Sequence, residues 1–304
     1  MTLKLRLLLT NACSARCAYC HNEGQQKAGD RLDVAAIGHL LDTLAGGGVC
    51  VSEIVLSGGE PTLHPQLPEI ARRCTATGAW VSINTHAGHP TKLAPALPWL
   101  DELKIHVDSF DPQRQQASMG IGIAKVRQSI VAAKDHRSLQ LFVNHPMQSL
   151  DEACAVIDAA RALAVDVKLI ELLDTSCGQP RLQQLAWAEL GYKSSGEGSW
   201  WHLDGMHRVL TRRCVQSVGE TVELFVGPDG IRRDLQTPTL GTAEAFSLDM
   251  LSAECRTGKA MGETGSLQAN ALRVIARTRR YWNSMTQPDG RQACHTVFPM
   301  HRFA

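Results

Sequence analysis

Three closely spaced cysteines constrain this chain more than any other feature of its sequence. They read Cys13-x3-Cys17-x2-Cys20 and are followed directly by His21. Three thiolates from one tight loop can hold three irons of a cubane cluster and leave the fourth iron open to a small molecule. We therefore expect Cys13, Cys17 and Cys20 to hold a [4Fe–4S] cluster.

A zinc site is the alternative for the same residues, because His21 can complete a Cys3His set with the three thiolates. A ligand directly after Cys20 gives tight geometry for a closed tetrahedron, since structural zinc sites usually separate the ligands of a pair by two or more residues. The spacing thus favours iron–sulfur, and a zinc-binding structural or interaction module is the alternative from a different functional class.

Composition limits the compartment and the partners. The chain has 304 residues, ten cysteines and a net charge of +1. Lys4 and Arg6 interrupt the N-terminal apolar run and no cleavage site follows, so we expect no export signal, a cytoplasmic location and no disulfide framework. A charge near zero gives no field that favours nucleic acid or anionic membranes, and no apolar run approaches membrane-spanning length.

Six short apolar runs alternate with helical patterns over roughly the first 170 residues. The runs are apolar on both faces, which is typical of strands buried in a parallel sheet. This order predicts an α/β fold, a partial (β/α)6 TIM-like barrel with a small C-terminal extension. The predicted strands are 3–10, 53–57, 80–85, 103–108, 139–144 and 167–172. The predicted helices are 32–44, 66–77, 121–134 and 150–163, the last with Ser149 as its N-cap.

The pattern changes after residue 175, which predicts a barrel at residues 1–175 and a substrate-covering region at residues 176–304. Within the second region we expect a hairpin at 221–234, turning at 227–230, and a helix at 266–285. Polar residues follow each predicted barrel strand, and the C-terminal strand ends form the active-site face of a parallel barrel.

The motifs then resemble those of a known family. The cysteine triad, with Tyr19 before its last cysteine, resembles the signature of the radical S-adenosylmethionine (SAM) superfamily. Residues 20–24 (Cys-His-Asn-Glu-Gly) resemble the subgroup near the molybdenum-cofactor GTP cyclases, and residues 57–62 (Ser-Gly-Gly-Glu-Pro-Thr) resemble the family's second motif. The resemblance covers roughly residues 4–175. It implies a [4Fe–4S] cluster, bound SAM, and reductive cleavage of SAM to a 5′-deoxyadenosyl radical.

The resemblance also implies which residues contact SAM. Glycines of the second motif allow close backbone approach, and Glu60 offers a negative partner for the methionine ammonium. An external electron donor such as flavodoxin or ferredoxin is implied as well. The implied cofactor-binding residues are Tyr19, Gly58, Gly59, Glu60, Asn84, Ser109, Asn144, Ile170 and Glu171.

The sequence departs from the cyclase pattern in its C-terminal region. No C-x2-C pair follows residue 175, so GTP cyclisation is not expected. Cys214 and the hairpin after it resemble the extensions of peptide-modifying relatives, but Asp234 stands where those have a cysteine. A reduced auxiliary cluster is one interpretation, and separate buried thiols are favoured because no two share a metal-type spacing. The cysteines in question are Cys177, Cys214, Cys255 and Cys294.

The short C-terminal region is better suited to closing over a small molecule than to gripping a large partner. Antibiotic-tailoring members of the superfamily have a similar size, among them the neomycin-type aminoglycoside epimerase, which returns hydrogen from a cysteine thiol. Our leading hypothesis is therefore epimerisation at a sugar carbon with Cys255 as catalytic hydrogen donor. Dehydrogenation or rearrangement of a sugar or nucleoside is the alternative.

Several other residues have an ordinary structural interpretation. Trp200 and Trp201 can stack on a sugar or base, or can anchor the C-terminal region. Histidines near the strand ends are more often hydrogen-bonded than catalytic, and no spacing supports a metal site among them; they are His64, His86, His106 and His145. Acidic residues can pair with a cationic substrate, or can be solvated or cap helices; they are Glu23, Glu171, Asp174 and Asp204.

Overall fold

Alternating strands and helices build most of the part of the chain that the structure describes. The computed structural model describes residues 2–20, 29–46, 49–171, 185–194, 200–203, 207–213, 221–228 and 230–232. The strands are β1 (Thr2–Leu8), β2 (Val51–Ser57), β3 (Trp80–Thr85), β4 (Glu102–His106), β5 (Gln140–Met147), β6 (Asp166–Glu171), β7 (Lys193–Ser194), β8 (Trp200–Leu203), β9 (His207–Arg213), β10 (Thr221–Gly227) and β11 (Gly230–Arg232). The α-helices are α1 (Val34–Gly46), α2 (Leu67–Thr75), α3 (Pro90–Leu93), α4 (Pro112–Met119), α5 (Ile123–Lys134) and α6 (Leu150–Ala162).

All eleven strands belong to one sheet, in the order β11-β10-β1-β2-β3-β4-β5-β6-β9-β8-β7. The eight strands from β10 to β9 pair in parallel, and β11, β8 and β7 add antiparallel strands at the two ends. The six predicted strands form in the predicted parallel order, which confirms the α/β class and the partial TIM-like barrel.

Two strands from beyond residue 175 extend the barrel sheet at both edges. β10 pairs with β1, and β9 pairs with β6. The sequence pattern did not predict these pairings. The predicted hairpin forms between β10 and β11, where Gly227 lies opposite Gly230. The predicted helix at 266–285 lies outside the described residues, and the division at residue 175 stays a prediction.

The helices pack on one face of the sheet. Alternate β1 residues Leu3, Leu5 and Leu7 are buried in a cluster that includes the apolar stripe of α1. The caps follow the sequence signals: Asp33 Oδ1 accepts from the backbone at the start of α1, and Ser149 Oγ accepts from Glu152 N at 3.2 Å, as predicted for α6. Alternate residues of the strands and the apolar residues that recur about every 3.6 positions in the helices thus pack into one core.

The sequence pattern does not predict helices α3 and α4, because neither carries an apolar stripe. The signals for α4 lie in its ends instead. Asp111 Oδ1 accepts from Gln113 N and Arg114 N, Pro112 follows the cap, and Gly120 ends the helix in the left-handed region at φ 73°.

The face of the sheet opposite the helices, called the inner face below, is charged rather than apolar. The expectation that the barrel strands are apolar on both faces is therefore wrong. Alternation places polar or charged residues at many of the positions between the buried leucines and isoleucines, with apolar exceptions such as Val55 and Phe142. The inner face carries Lys4, Arg6, Glu53, Ser82, Glu102, Lys104 and Lys168.

The charged side chains of the inner face form ion pairs across several strands. Lys104 Nζ lies 2.7 Å from Glu102 and 3.9 Å from Glu53, and Glu53 also lies 2.9 Å from Lys4. Lys168 Nζ lies 3.5 Å from Glu102. Burial lowers the pKa of Lys104 although the two carboxylates oppose that change. The network therefore compensates charges that the barrel interior desolvates.

An aromatic cluster joins the described part of the C-terminal region to the core. The rings of Trp187 and Trp201 stack with centroids 4.5 Å apart, and Tyr192 Oη hydrogen-bonds His207 Nδ1 at 2.6 Å. His207 Nε2 in turn lies 2.7 Å from the carbonyl of Val165. These contacts favour the anchoring interpretation of Trp201. Within the described ranges, no helix has both the length and the apolar character needed to cross a membrane.

Replacing Lys104 by methionine should lower the free energy of unfolding by about 2–4 kcal/mol, because Glu102 and Glu53 would lose a buried cationic partner. Urea denaturation of the purified variant measures this. The matched control is Lys92→Met, since Lys92 is exposed and should change stability by less than about 0.5 kcal/mol. Equal unfolding midpoints for Lys104→Met and the unsubstituted protein would contradict the network.

Candidate functional site

The cysteine loop follows β1 at the carboxyl end of the sheet. Cys13 and Cys20 are exposed and Cys17 is half-buried, and all three are free thiols. The turn is closed by Cys20 N donating to Cys17 O at 3.1 Å. Arg16 N donates to Met119 O at 2.9 Å, which ties the loop to the end of α4. The three thiols are therefore presented by one loop, as the spacing predicted.

Two glycines hold this loop against the end of β2. Gly59 N donates to Thr10 O at 2.6 Å, and the next residue's amide donates to Ala12 O at 2.8 Å. A Cβ at Gly58 would lie 2.4 Å from Thr10 O, and one at Gly59 would lie 2.5 Å from Ala12 O. Gly58 also has φ +128°, which side chains rarely adopt. The sequence predicted that these glycines allow close backbone approach to a cofactor. In the structure they allow close approach between the turn after β2 and the start of the cysteine loop.

Glu60 ties the same turn to the end of β3. Its carboxylate is 1% exposed and accepts from Thr62 N and Oγ1, Thr85 Oγ1 and His86 N. Both carboxylate oxygens therefore have protein donors, and His86 Nε2 lies 3.3 Å from one of them. The expected pairing of Glu60 with an ammonium stays a prediction, and the contacts present are those of a residue that fixes the turn.

Ser14 connects the cysteine loop to the segment after β3. Its Oγ lies 3.1 Å from His86 Nε2 and 3.0 Å from His89 Nε2. Because Gly88 N donates to His86 Nδ1 at 2.9 Å, the His86 proton is assigned to Nε2 and points at Ser14 and Glu60. The sequence analysis did not single out Ser14 or His89, since neither belongs to a motif.

Tyr19 connects the cysteine loop to the end of β4. Its hydroxyl donates to Asp108 Oδ1 and lies 2.6 Å from His106 Nε2, with the two rings stacked. Burial alone would raise the pKa of Asp108, but hydrogen bonds from His106 and Tyr19 hold it below its usual value. Asp108 is thus an ionised carboxylate beside the loop. The prediction that His86 and His106 are hydrogen-bonded is confirmed.

Burial keeps protons on two of the three thiols, those of Cys13 and Cys17. Burial raises the pKa of Cys17 to about 12, with the Asp108 charge adding to the effect, and burial also raises the pKa of Cys13. A thiolate requires a compensating cation in such surroundings, so binding an iron centre here releases protons. The donor set of three thiols on one loop fits an iron–sulfur cluster in this respect.

Unpartnered acceptor atoms lie in the carboxyl-terminal halves of inner-face strands or on the segments that follow those strands. Within the described residues, each is buried and lacks a hydrogen-bond partner. A bound molecule rich in hydroxyl and ammonium donors would satisfy them, as buried acceptors require. SAM carries such groups, so these residues fit it. The atoms are Asn11 Oδ1, Asn84 Oδ1, Asp108 Oδ2 and Asn144 Oδ1.

The remaining predicted residues that the structure describes lie on β6 and on the segment after β4. Ser109 is buried and its Oγ accepts from Asp111 N, so its hydroxyl serves the α4 cap. Ile170 lies on β6 beside Pro146, and Glu171 ends that strand almost fully buried. Cys255 lies outside the described residues, as do Cys177, Cys214, Cys294, Glu23, Asp174 and Asp204.

The zinc alternative is not tested within the described ranges. Across them, no group of three or more His, Cys, Asp or Glu side chains is arranged to hold a single metal ion. His21, the fourth ligand of that alternative, lies outside those ranges.

Sequence comparison identifies relatives of the barrel. A family model described as "Radical SAM superfamily" matches residues 7–170, more than half of the chain. A probable GTP 3′,8-cyclase of Sulfolobus acidocaldarius is 34% identical over 232 residues, 74% of each chain. A probable GTP 3′,8-cyclase of Methanocella arvoryzae is 28% identical over 189 residues, 56% of this chain and 57% of that protein. The chain thus spans little more than half the length of several curated relatives it matches.

Comparison of folds identifies solved structures of similar architecture. Streptococcus suis SuiB bound to S-adenosylmethionine aligns with a TM-score of 0.61 at 13% identity, covering 84% of this chain and 68% of that one. SuiB bound to its precursor peptide SuiA aligns with the same TM-score and identity. At this identity the likeness concerns the fold alone.

Replacing Gly59 by alanine should displace the cysteine loop, because the new Cβ would meet the Ala12 carbonyl at 2.5 Å. We expect a stability loss of about 1–3 kcal/mol and markedly less iron and sulfide per chain after anaerobic reconstitution. Gly46→Ala is the control, since a Cβ at Gly46 meets nothing within 4 Å. A Gly59→Ala protein that takes up as much iron as the unsubstituted protein would refute the role of this contact.

Proposed function

The chain belongs to the radical SAM superfamily, and from that premise we propose that it takes hydrogen from a sugar carbon of a small polar substrate. As a radical SAM enzyme it binds a [4Fe–4S] cluster and S-adenosylmethionine. Bound together, the two cofactors would supply one-electron cleavage of the sulfonium, and the 5′-deoxyadenosyl radical released from SAM would abstract hydrogen. The observation that carries the proposal is the loop of three free thiols beside unpartnered acceptors at the strand ends.

Cys13, Cys17 and Cys20 are the proposed cluster ligands. They lie on a loop that is fixed at three points: Ser14 contacts His86 and His89, Arg16 contacts the end of α4, and Tyr19 contacts the end of β4. Such anchoring holds ligands in one geometry before the metal binds, which favours a defined cluster with one open position.

The strand-end residues are the proposed SAM contacts. Asn84 and Asn144 carry buried, unpartnered acceptor atoms on the inner face, and they suit ribose hydroxyls or the methionine ammonium. Gly58, Gly59 and Glu60 contribute by fixing the turn beside the cluster. Ser109, Ile170, Glu171 and the Tyr19 ring belong to the same proposed contact set.

A sugar carbon as the site of hydrogen abstraction is supported from two directions. Relatives carry the name GTP 3′,8-cyclase, in which a ribose position is joined to a base. The unpartnered acceptors Asn84, Asp108 and Asn144 suit hydroxyl-rich and amino-bearing molecules. The proposed substrates are therefore sugars, aminoglycosides or nucleosides.

Two fates of the sugar radical are proposed. In the first, Cys255 returns hydrogen to the opposite face, as in aminoglycoside epimerisation, and residues 176–304 cover the substrate. In the second, favoured by the names of the relatives, the radical closes a ring onto a base. Dehydrogenation or rearrangement of a sugar or nucleoside is the alternative outcome of the first scheme; in dehydrogenation the sugar radical gives up a proton and passes one electron to the oxidised carrier. An external reductant of the flavodoxin or ferredoxin type supplies one electron for SAM cleavage. In both schemes it supplies a second electron, which together with a proton quenches the radical left on Cys255 or on the closed ring.

Replacing Cys13, Cys17 and Cys20 together by alanine should remove the cluster. The unsubstituted protein should hold about four irons per chain after anaerobic reconstitution, and the triple variant almost none. Iron, sulfide and zinc analysis measures this, with Cys154→Ala as a control on a cysteine of α6. Four irons left in the triple variant would indicate an auxiliary cluster elsewhere, whereas stoichiometric zinc without SAM cleavage would refute the proposed function.

Turnover in deuterium oxide separates the two fates. With dithionite, SAM and a panel of aminoglycosides and GTP, an epimerase should place one solvent deuterium at the inverted carbon, because the donor thiol exchanges with solvent. Cys255→Ala should then release 5′-deoxyadenosine without epimerised product, while Cys50→Ala turns over normally. Mass spectrometry and NMR of the product measure this. A cyclised nucleotide, or normal turnover by Cys255→Ala, would exclude Cys255 as the donor.

A further inference from the structure

A cluster of cations lies on the outer surface next to the cysteine loop. It consists of the basic side chains Arg16, Lys92 and Lys125 around His89, and is called the α3–α5 basic patch below. Arg16, Lys92 and Lys125 are exposed. Within the part of the chain that the structure describes, none of these three forms an ion pair with an acidic residue, which is also true of exposed Arg137.

The patch is contiguous with the cysteine loop. Ser14, the residue after Cys13, contacts His89 Nε2 at 3.0 Å, and His89 caps the start of α3, on which Lys92 lies. Helix α3 packs against α5, which carries Lys125 in its first turn. Burial lowers the pKa of His89, the Glu60 charge opposes that change, and the charges of Lys92 and Lys125 add to it. Both lysines are therefore close enough to act on a residue that touches the loop.

The position of the patch separates it from the expected substrate site. Helices α3 and α5 cover the face of the sheet opposite the inner face. The unpartnered acceptors of Asn84 and Asn144 lie on the inner face. A small substrate held at those acceptors would not reach Lys92 and Lys125, which leaves their charge for a partner that approaches from outside.

We propose that the α3–α5 basic patch is the docking surface for the protein that delivers the electron, an acidic one-electron carrier of the flavodoxin or ferredoxin type. This rests on the proposed function, which requires an external electron. On transfer the carrier is oxidised by one electron and the cluster is reduced by one, with no bond made or broken. Unpaired cations beside a redox loop steer an acidic partner by long-range attraction and place it next to exposed Cys13.

The experiment compares charge reversals near the two ends of α5. Lys125→Glu changes the patch, and Arg137→Glu makes the same change on an exposed residue just beyond the other end of α5. The reconstituted full-length protein is mixed with reduced flavodoxin, and bleaching of the cluster absorbance is followed by stopped flow. We expect Lys125→Glu, combined with Lys92→Glu, to lower the second-order rate constant about 10-fold at low salt. Arg137→Glu should lower it less than about twofold, and the difference should shrink as added salt screens the charges.

Reduction by dithionite distinguishes the docking proposal from the proposed function. With dithionite, the double variant should bleach and cleave SAM at the rate of the unsubstituted protein. Equal flavodoxin rates for the double variant and Arg137→Glu would overturn the docking proposal alone. A raised KM for the substrate with dithionite would also overturn it, since the patch would then bind an anionic small molecule. Failure of the unsubstituted protein to cleave SAM with dithionite would overturn the proposed function.

Discussion

The backbone contact between two loops is the constraint on which the site depends. Gly58 and Gly59 approach Thr10 and Ala12 so closely that any Cβ would collide, and two short hydrogen bonds fix the pair. The start of the cysteine loop is therefore fixed. The buried carboxylate of Glu60 links the same turn to the end of β3, because it accepts from Thr85 Oγ1 and His86 N. Three further contacts hold the rest of the loop, so the thiols are positioned by neighbouring strand ends rather than by the loop itself.

The inner face shows a second consequence of the barrel. A partial barrel that receives a polar ligand needs polar groups inside, and desolvation penalises each of them unless it is paired. Near the amino ends of the strands, Lys104 forms ion pairs with Glu53 and Glu102. Towards the carboxyl ends, Asn84 and Asn144 keep unpaired acceptors. The inner face thus carries ion-paired side chains and also acceptor atoms that lack hydrogen-bond partners. A ligand can gain hydrogen bonds at those acceptor atoms.

Sequence patterns predicted the order of strands, the cluster loop and the caps because each depends on local signals. They failed where the partner is distant in the chain. The one local exception is the alternation Leu-Lys-Leu-Arg at residues 3–6, where the apolar character of the whole run hides a charged face. The pairings of β9 and β10 with the barrel, and the contact of Ser14 with His89, depend on tertiary packing that no local pattern encodes.

The pairing of β1 with β10 also has a consequence for how the chain is made. Arg6 meets Glu223, 217 positions later, so one edge of the first strand has no partner until that part of the chain has been synthesised. At ordinary elongation rates this delay is about 10–40 s. An unpaired edge is a template for wrong association, and charged side chains discourage it. Lys4 and Arg6 thus protect the nascent barrel before Glu223 arrives to pair with Arg6.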